Sequence, residues 1–164
     1  MATPSPLSAR DQTFLRRAIA LSAQARGEGH HPFGALVVSA QGEVVAEGIN
    51  GSRLPDGDPT RHAELVAVSR AARSLPPDAL AACTLYTSAE PCAMCAGATY
   101  WCGVGRVVYA LSEARLLTLT GRHPENPTLD LPCREVFVRG QRVVEVVGPA
   151  LEDEAAAVHV GFWA

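Results

Sequence analysis

Strand-like and helix-like segments alternate along this chain of 164 residues, and the alternation predicts an α/β domain layered about one sheet. Two further observations point the same way. Charged residues make up 19% and the hydrophobic set 48%, the balance of a chain that can bury a core and not of a disordered one. No internal repeat or low-complexity tract divides the sequence, so residues 1–164 read as a single domain.

The elements follow in order. Ser8 with Asp11 marks a helix start, and Phe14, Leu15, Ala18, Ile19, Ser22 and Ala25 supply its apolar or small stripe until Gly27 and Gly29 end it. Ala35 to Val38 reads as a strand, Gln41-Gly42 as a turn and Val44 to Ala46 as the hairpin partner. The stretch from Gly48 to Pro59 is rich in turn formers and reads as a loop. A second helix is predicted from Arg61 to Leu75, closed by Pro76-Pro77, and a strand over Cys83 to Thr87. Pro91 is expected at the first position of a third helix, where its missing N–H costs nothing. Arg106 to Leu111, apolar almost throughout, predicts a strand buried on both faces. Beyond it the prolines at 124, 127 and 132 allow only a short helix over Glu113 to Leu119. Cys133 to Val138 fits helix or strand, Val143 to Val147 a last strand and Leu151 to Phe162 a last helix.

No apolar run reaches the roughly 18 residues needed to cross a bilayer. Met1 to Ser8 lacks the charged-then-apolar layout of a secretory signal, so a cytoplasmic protein is expected. The formal net charge of -3 and the scattered basic residues disfavour a nucleic-acid partner, which needs a basic face to neutralise phosphates. Five cysteines, an odd number unevenly spaced, argue against a disulfide framework and leave the pair Cys92-Ala93-Met94-Cys95 to metal or redox chemistry.

Metal fits the surroundings better. His62-Ala63-Glu64 precedes Pro91-Cys92 by about thirty residues, and each motif stands at a predicted helix start. His62, Cys92 and Cys95 offer one imidazole and two thiolates, a donor set that zinc favours, and three protein ligands leave the fourth tetrahedral position open, as in catalytic sites. Helix starts also favour thiolate. Two thiolates offset the whole charge of Zn²⁺ and weaken it as a Lewis acid, so water activation there calls for a base, and Glu64 is the candidate. A purely structural zinc site would need Cys83 or Cys102 as a fourth ligand; a redox pair would leave His62 and Glu64 without a role.

With these motifs the chain resembles the cytidine deaminase superfamily, in the branch of bacterial guanine deaminases and tRNA adenosine deaminases. The resemblance runs from Phe14 to Leu111 and includes Pro32-Phe33-Gly34-Ala35, the hairpin ending at Asn50, Asp58-Pro59-Thr60 and Thr99-Tyr100-Trp101. It implies a three-layer α/β/α fold with a central five-stranded mixed sheet, Zn²⁺ as cofactor, and a homodimer. It also implies hydrolytic deamination of a free nucleobase or small nucleoside, with Asn50 bonding the base and the backbone near Ala63 lining the site. Pro-Phe-Gly-Ala and Tyr100-Trp101 resemble the guanine deaminase side, and Asp130 is the candidate for those enzymes' substrate-contacting aspartate. Arg61 departs from the alanine usual beside the zinc histidine, and 112–135 does not align cleanly. A tRNA adenosine, cytosine or an amino-triazine remain alternative substrates.

Other residues carry plainer expectations. Phe33 either packs in the core or stacks on the base, and Asn50 before Gly51 could also serve a turn. His30 and His31 read as loop residues, with reach into the pocket as the alternative for either, and Arg122-His123 as solvated loop. Trp101 reads as core or dimer interface, Phe162 and Trp163 as a cover for the sheet or a lid, and Cys83, Cys102 and Cys133 as small buried hydrophobes.

Overall fold

A computed structural model of the chain describes residues 6–164; the leader reading therefore rests in part on residues outside those described. Helix α1 (Ala9–Gly27) starts on a reciprocal cap. The Ser8 hydroxyl accepts from the Asp11 N–H at 3.0 Å, and the Asp11 carboxylate accepts from the Ser8 N–H at 3.1 Å. The hairpin β1 (Gly34–Val38) and β2 (Val44–Ile49) follows, then α2 (Ala63–Ser74), a short α3 (Pro77–Ala81) and β3 (Thr84–Ala89). The second half holds α4 (Ala93–Cys102), β4 (Arg106–Leu111), α5 (Glu113–Thr120), α6 (Cys133–Phe137), β5 (Glu145–Val147) and α7 (Glu152–His159).

The strands form one mixed sheet of five in the order β2-β1-β3-β4-β5. β1 runs antiparallel to both β2 and β3, whereas β3, β4 and β5 are mutually parallel. Side chains alternate across it. Ala35, Val37, Leu85, Val107 and Tyr109 face α2, α3, α4 and α6; Leu36, Val38, Tyr86, Val108 and Ala110 face α1, α5 and α7. The result is the three-layer α/β/α arrangement, with β1 buried along its whole length.

Several boundaries differ from the sequence reading. α2 starts at Ala63, with His62 as its extended cap residue. Pro77 does not merely close that helix but opens α3, where proline suits the first turn. Pro91 is not the first residue of α4: Cys92 is the cap and the helix begins at Ala93, so Pro91 stiffens the extended approach. Cys133 to Phe137 resolves as helix, because the Cys133 N–H is taken by the Glu90 carboxylate at 3.0 Å and not by a neighbouring strand. β5 is shorter than expected, leaving Val143 exposed, and α7 stops at His159, short of Phe162.

A buried polar network ties α1 to the sheet. Asp11, 3% exposed, receives both terminal nitrogens of Arg106 at 2.7 and 3.1 Å and the Tyr86 hydroxyl at 2.8 Å. Burial alone would raise the Asp11 pKa, but Arg106, the Ser8 backbone, Tyr86 and the Ser8 hydroxyl outweigh it and hold the carboxyl well below the usual range. A depressed folded pKa contributes stability that is present above the unfolded value near 3.8 and is lost as the pH falls toward the folded one. Asp11→Asn is accordingly expected to cost about 3 kcal/mol at pH 7. Thermal unfolding from pH 7 to pH 3 should show the gap to the unmodified protein narrowing below about pH 4, the unfolded carboxyl range; a gap independent of pH would contradict the assignment.

Candidate active site

Two helix starts build the site. The loop before α2 is folded on Asp58, whose carboxylate accepts from the Thr60 N–H at 2.9 Å and hydroxyl at 2.8 Å, and whose carbonyl accepts from the Arg61 N–H at 2.8 Å. That turn delivers His62 to the cap of α2 and Glu64 to its first turn. Strand β2 comes so close behind that a Cβ at Gly48 would lie 2.3 Å from the Ala63 carbonyl oxygen, so only glycine fits there. Across the gap β3 runs out through Ala89 and Glu90 to Cys92, the cap of α4, with Cys95 in the first turn behind it.

The His62, Cys92 and Cys95 donor atoms lie within 4.8 Å of one another. A tetrahedral zinc spaces nitrogen and sulfur ligands about 3.5–3.8 Å apart, and His62 Nδ1 stands 3.5 Å from Cys92 Sγ. The residues fit the ion in chemistry and in spacing. The triad's own electrostatics prepare it: the Cys95 thiol donates to Cys92, and with His62 on its other side Cys92 is held down at about 4 despite burial. Cys95 is pushed well up, by that bond to Cys92 first and by burial second.

Glu64 is 5% exposed and accepts from the Thr87 hydroxyl at 3.1 Å. Burial, then the Cys92 charge, push its pKa up. His62, Cys92 and Glu64 stand at the wall of a cavity of about 500 Å³, within the range for small-molecule sites, with Cys95 buried behind it.

The residues expected to meet substrate divide. Asn50, buried at 2% exposure, and Phe33 both line the cavity. Phe33 meets the His159 ring edge-on at 5.3 Å, so it serves wall and core together. Ala63 lies fully buried at the first position of α2, where a helix leaves its N–H unpaired. Asp130 is exposed and lies outside the lining. Glu113 and Glu125 bring carboxylates to the cavity instead. Trp101 is 82% exposed, which removes the core reading.

Sequence reasoning missed several wall residues. Glu90 accepts from the Glu113 N–H at 3.0 Å as well as from Cys133, fixing the starts of α5 and α6 at the cavity; its place beside Pro91-Cys92 was the available signal. Glu113 is pushed up to about 7, by burial first and then by the charges of Cys92, Glu90 and Glu64. His31 does lie in a loop, and of the two readings open for it the one that reaches the pocket holds: it is buried at 5% exposure and lines the cavity, with Trp163 and Phe162 rings packed on it at 5.3 and 5.9 Å. The terminal aromatics thus back the wall, and His123 packs on Trp163 as well. The Glu90 contacts join residues 23 and 43 apart, and those of His31 with Phe162 and Trp163 residues more than 130 apart, so no local pattern announces them.

Comparison with known proteins agrees with this geometry. The family model described as the cytidine and deoxycytidylate deaminase zinc-binding region matches residues 8–111. A probable cytosine deaminase of Schizosaccharomyces pombe is 45% identical over 96% of this chain and 94% of its own length. The guanine deaminase of Bacillus subtilis is 44% identical over 60% of this chain and 63% of its own. Among solved structures, a guanine deaminase from Nitrosomonas europaea superposes with a TM-score of 0.73 at 28% identity, covering 94% of this chain and 84% of that one. A structure with 8-azaguanine bound superposes at 0.75 and 29% identity, covering 93% and 84%. With the zinc triad, the sheet order and these likenesses together, the chain belongs to the cytidine and deoxycytidylate deaminase family of zinc-dependent hydrolytic deaminases.

Proposed function

We propose that the chain, working as one domain, deaminates a free purine base, guanine, with Glu64 as its proton shuttle. The observation that carries the reading is the buried Glu64 carboxyl set beside a His-Cys-Cys zinc site in a cavity sized for a small heterocycle. Zinc held by His62, Cys92 and Cys95 supplies Lewis acidity that lowers the pKa of water. Glu64 takes the proton of the attacking water and gives it to the ring nitrogen beside the reacting carbon. It then assists departure of the amino group, so that base and water become the oxo-base and ammonia. Thr87 holds the carboxyl in place by its hydroxyl. Asn50 offers its amide to the ring, Phe33 gives an apolar face, and Ala63 contributes the helix-start backbone.

Guanine is supported by the likeness to guanine deaminases and to the structure with 8-azaguanine. A second reading, cytosine, is favoured by the relative that matches nearly the whole chain. A tRNA substrate fits less well: Glu113 and Glu125 put carboxylates in the wall, and repulsion of phosphates by such groups opposes a polynucleotide. Among the described residues no helix is long and apolar enough to cross a membrane, and we place the protein in the cytoplasm.

A homodimer through the face of α4 is part of the proposal. Trp101 is 82% exposed and stands edge-on to Tyr100, whose hydroxyl accepts from the Gln141 N–H at 2.9 Å. Val138 and Val143, 74% and 93% exposed, flank the 140–142 turn that Tyr100 supports. An apolar face of this kind favours a second copy. Light scattering should give twice the chain mass, and Trp101→Arg should shift it toward one chain; a monomer before mutation would overturn the dimer.

Ammonia release from zinc-loaded protein across guanine, cytosine, adenine, their nucleosides and ammeline tests the reaction. Guanine should turn over, and Glu64→Gln should lower kcat about 10²–10⁴-fold while keeping zinc and melting temperature. Preferred turnover of cytosine would favour the second reading, and full activity in Glu64→Gln would overturn the shuttle. Elemental analysis should find one zinc per chain, lost in Cys92→Ser and Cys95→Ser. Chelation should lower the melting temperature, by about 4 kcal/mol of stability for an ion present at a thousand times its Kd.

A further inference from the structure

We propose that His31 is a positioning residue that, through Ser52, ties the carboxylate of Glu125 to the substrate-facing amide of Asn50; this rests on the reading of Asn50 as a substrate contact.

The orientation of Asn50 follows from its neighbours. The Ser52 N–H can only donate, so the Asn50 atom 3.0 Å from it is the carbonyl oxygen Oδ1. The Ser52 hydroxyl donates to the same oxygen at 3.0 Å. With Oδ1 turned to Ser52, the amino group Nδ2 is the end that faces the cavity, and among the described residues it has no protein partner. A group fixed this way recognises an acceptor on the heterocycle, a ring nitrogen or a carbonyl oxygen, and refuses an N–H at that place.

Ser52 also faces His31. His31 Nδ1 lies 3.4 Å from the Ser52 hydroxyl, and Nε2 lies 2.8 Å from the Glu125 carboxylate, which also meets Arg53 at 3.3 Å. A carboxylate on Nε2 requires a proton there, which leaves Nδ1 of the neutral ring as an acceptor that competes with Asn50 Oδ1 for the single proton of the Ser52 hydroxyl. Phe162 and Trp163 grip the ring from behind, and Arg53 stacks over Phe162 at 5.7 Å. Glu125 belongs to the proline-rich segment 121–132, which supplies one side of the cavity wall. The chain Glu125–His31–Ser52–Asn50 therefore reports the placement of that segment to the amide that reads the base. Without Glu125 the ring can carry its proton on Nδ1 and donate to the Ser52 hydroxyl, which then gives its own proton to Asn50 alone.

The test has a readout that needs no substrate. In a ¹H–¹⁵N spectrum of the zinc-loaded protein, the Asn50 side-chain NH₂ pair is identified by its loss in Asn50→Asp. Glu125→Gln should move that pair, Ser52→Ala should move it as well, and Glu125→Gln should add nothing once Ser52 is alanine. Preserved dispersion elsewhere shows that the variants fold. An Asn50 pair unmoved by Glu125→Gln overturns the coupling. Calorimetric titration with 8-azaguanine gives the functional arm: Ser52→Ala, which removes one hydrogen bond from Asn50 Oδ1, should weaken binding about fivefold, and adding Glu125→Gln to it should change binding no further. A further change in binding when Glu125→Gln is added to Ser52→Ala would also overturn it. Failure of the unmodified protein to bind 8-azaguanine would count against the guanine reading alone, and the NH₂ pair still decides the coupling.

Discussion

The close contact of β2 with the first turn of α2 at Gly48 sets the depth at which His62 and Glu64 lie. The rest of the site is built outward from it. Ala63, Ala67 and Ala71 of α2 and Ala96 of α4 are fully buried, and side chains this small let helices and sheet approach closely. At that separation an imidazole from one cap and two sulfurs from the other reach a common point. Larger residues along the seam would keep the motifs and lose the site, because the ligand atoms would no longer converge.

Charge is the second constraint. One wall of the cavity carries the Cys92 thiolate, Glu64 and Glu113, and their mutual repulsion adds to burial in pushing both carboxyls up. Such a cluster is costly in an apolar protein unless a cation offsets it. The same features serve the chemistry: a divalent ion compensates the sulfurs, and the raised Glu64 is suited to take and return a proton. Neutral heterocycles are compatible with that wall. Structure and reaction thus place the same demand on the residues around the triad.

The alternation of strands and helices was legible because each element carries its own period, and the buried β4 could be read from Arg106 to Leu111 alone. The His-Cys-Cys cluster was legible because both motifs are short and sit at helix starts, and the first of them also carries Glu64 into the first turn of α2. What escaped was set by distant contacts. His31 looks like a loop histidine until Glu125, Ser52 and Trp163 are seen around it. Glu113 looks like an ordinary first-turn carboxylate until the cavity is present. The segment 121–132 has no periodicity to read, and there Glu125 lines the cavity while Asp130 lies exposed outside it. Pro91 was misplaced by one step because proline suits both a first helical position and the extended residue before a cap.

The central claim is an open, catalytic zinc site: three protein ligands, with the fourth position left to the reaction. Anomalous diffraction at the zinc edge from crystals of the metal-loaded protein tests it most directly. The account predicts one peak, bonded to His62 Nδ1, Cys92 Sγ and Cys95 Sγ, with no fourth protein side chain on the ion and Glu64 beside the remaining position. A fourth protein ligand closing the site, or a metal bound away from these residues, would contradict it.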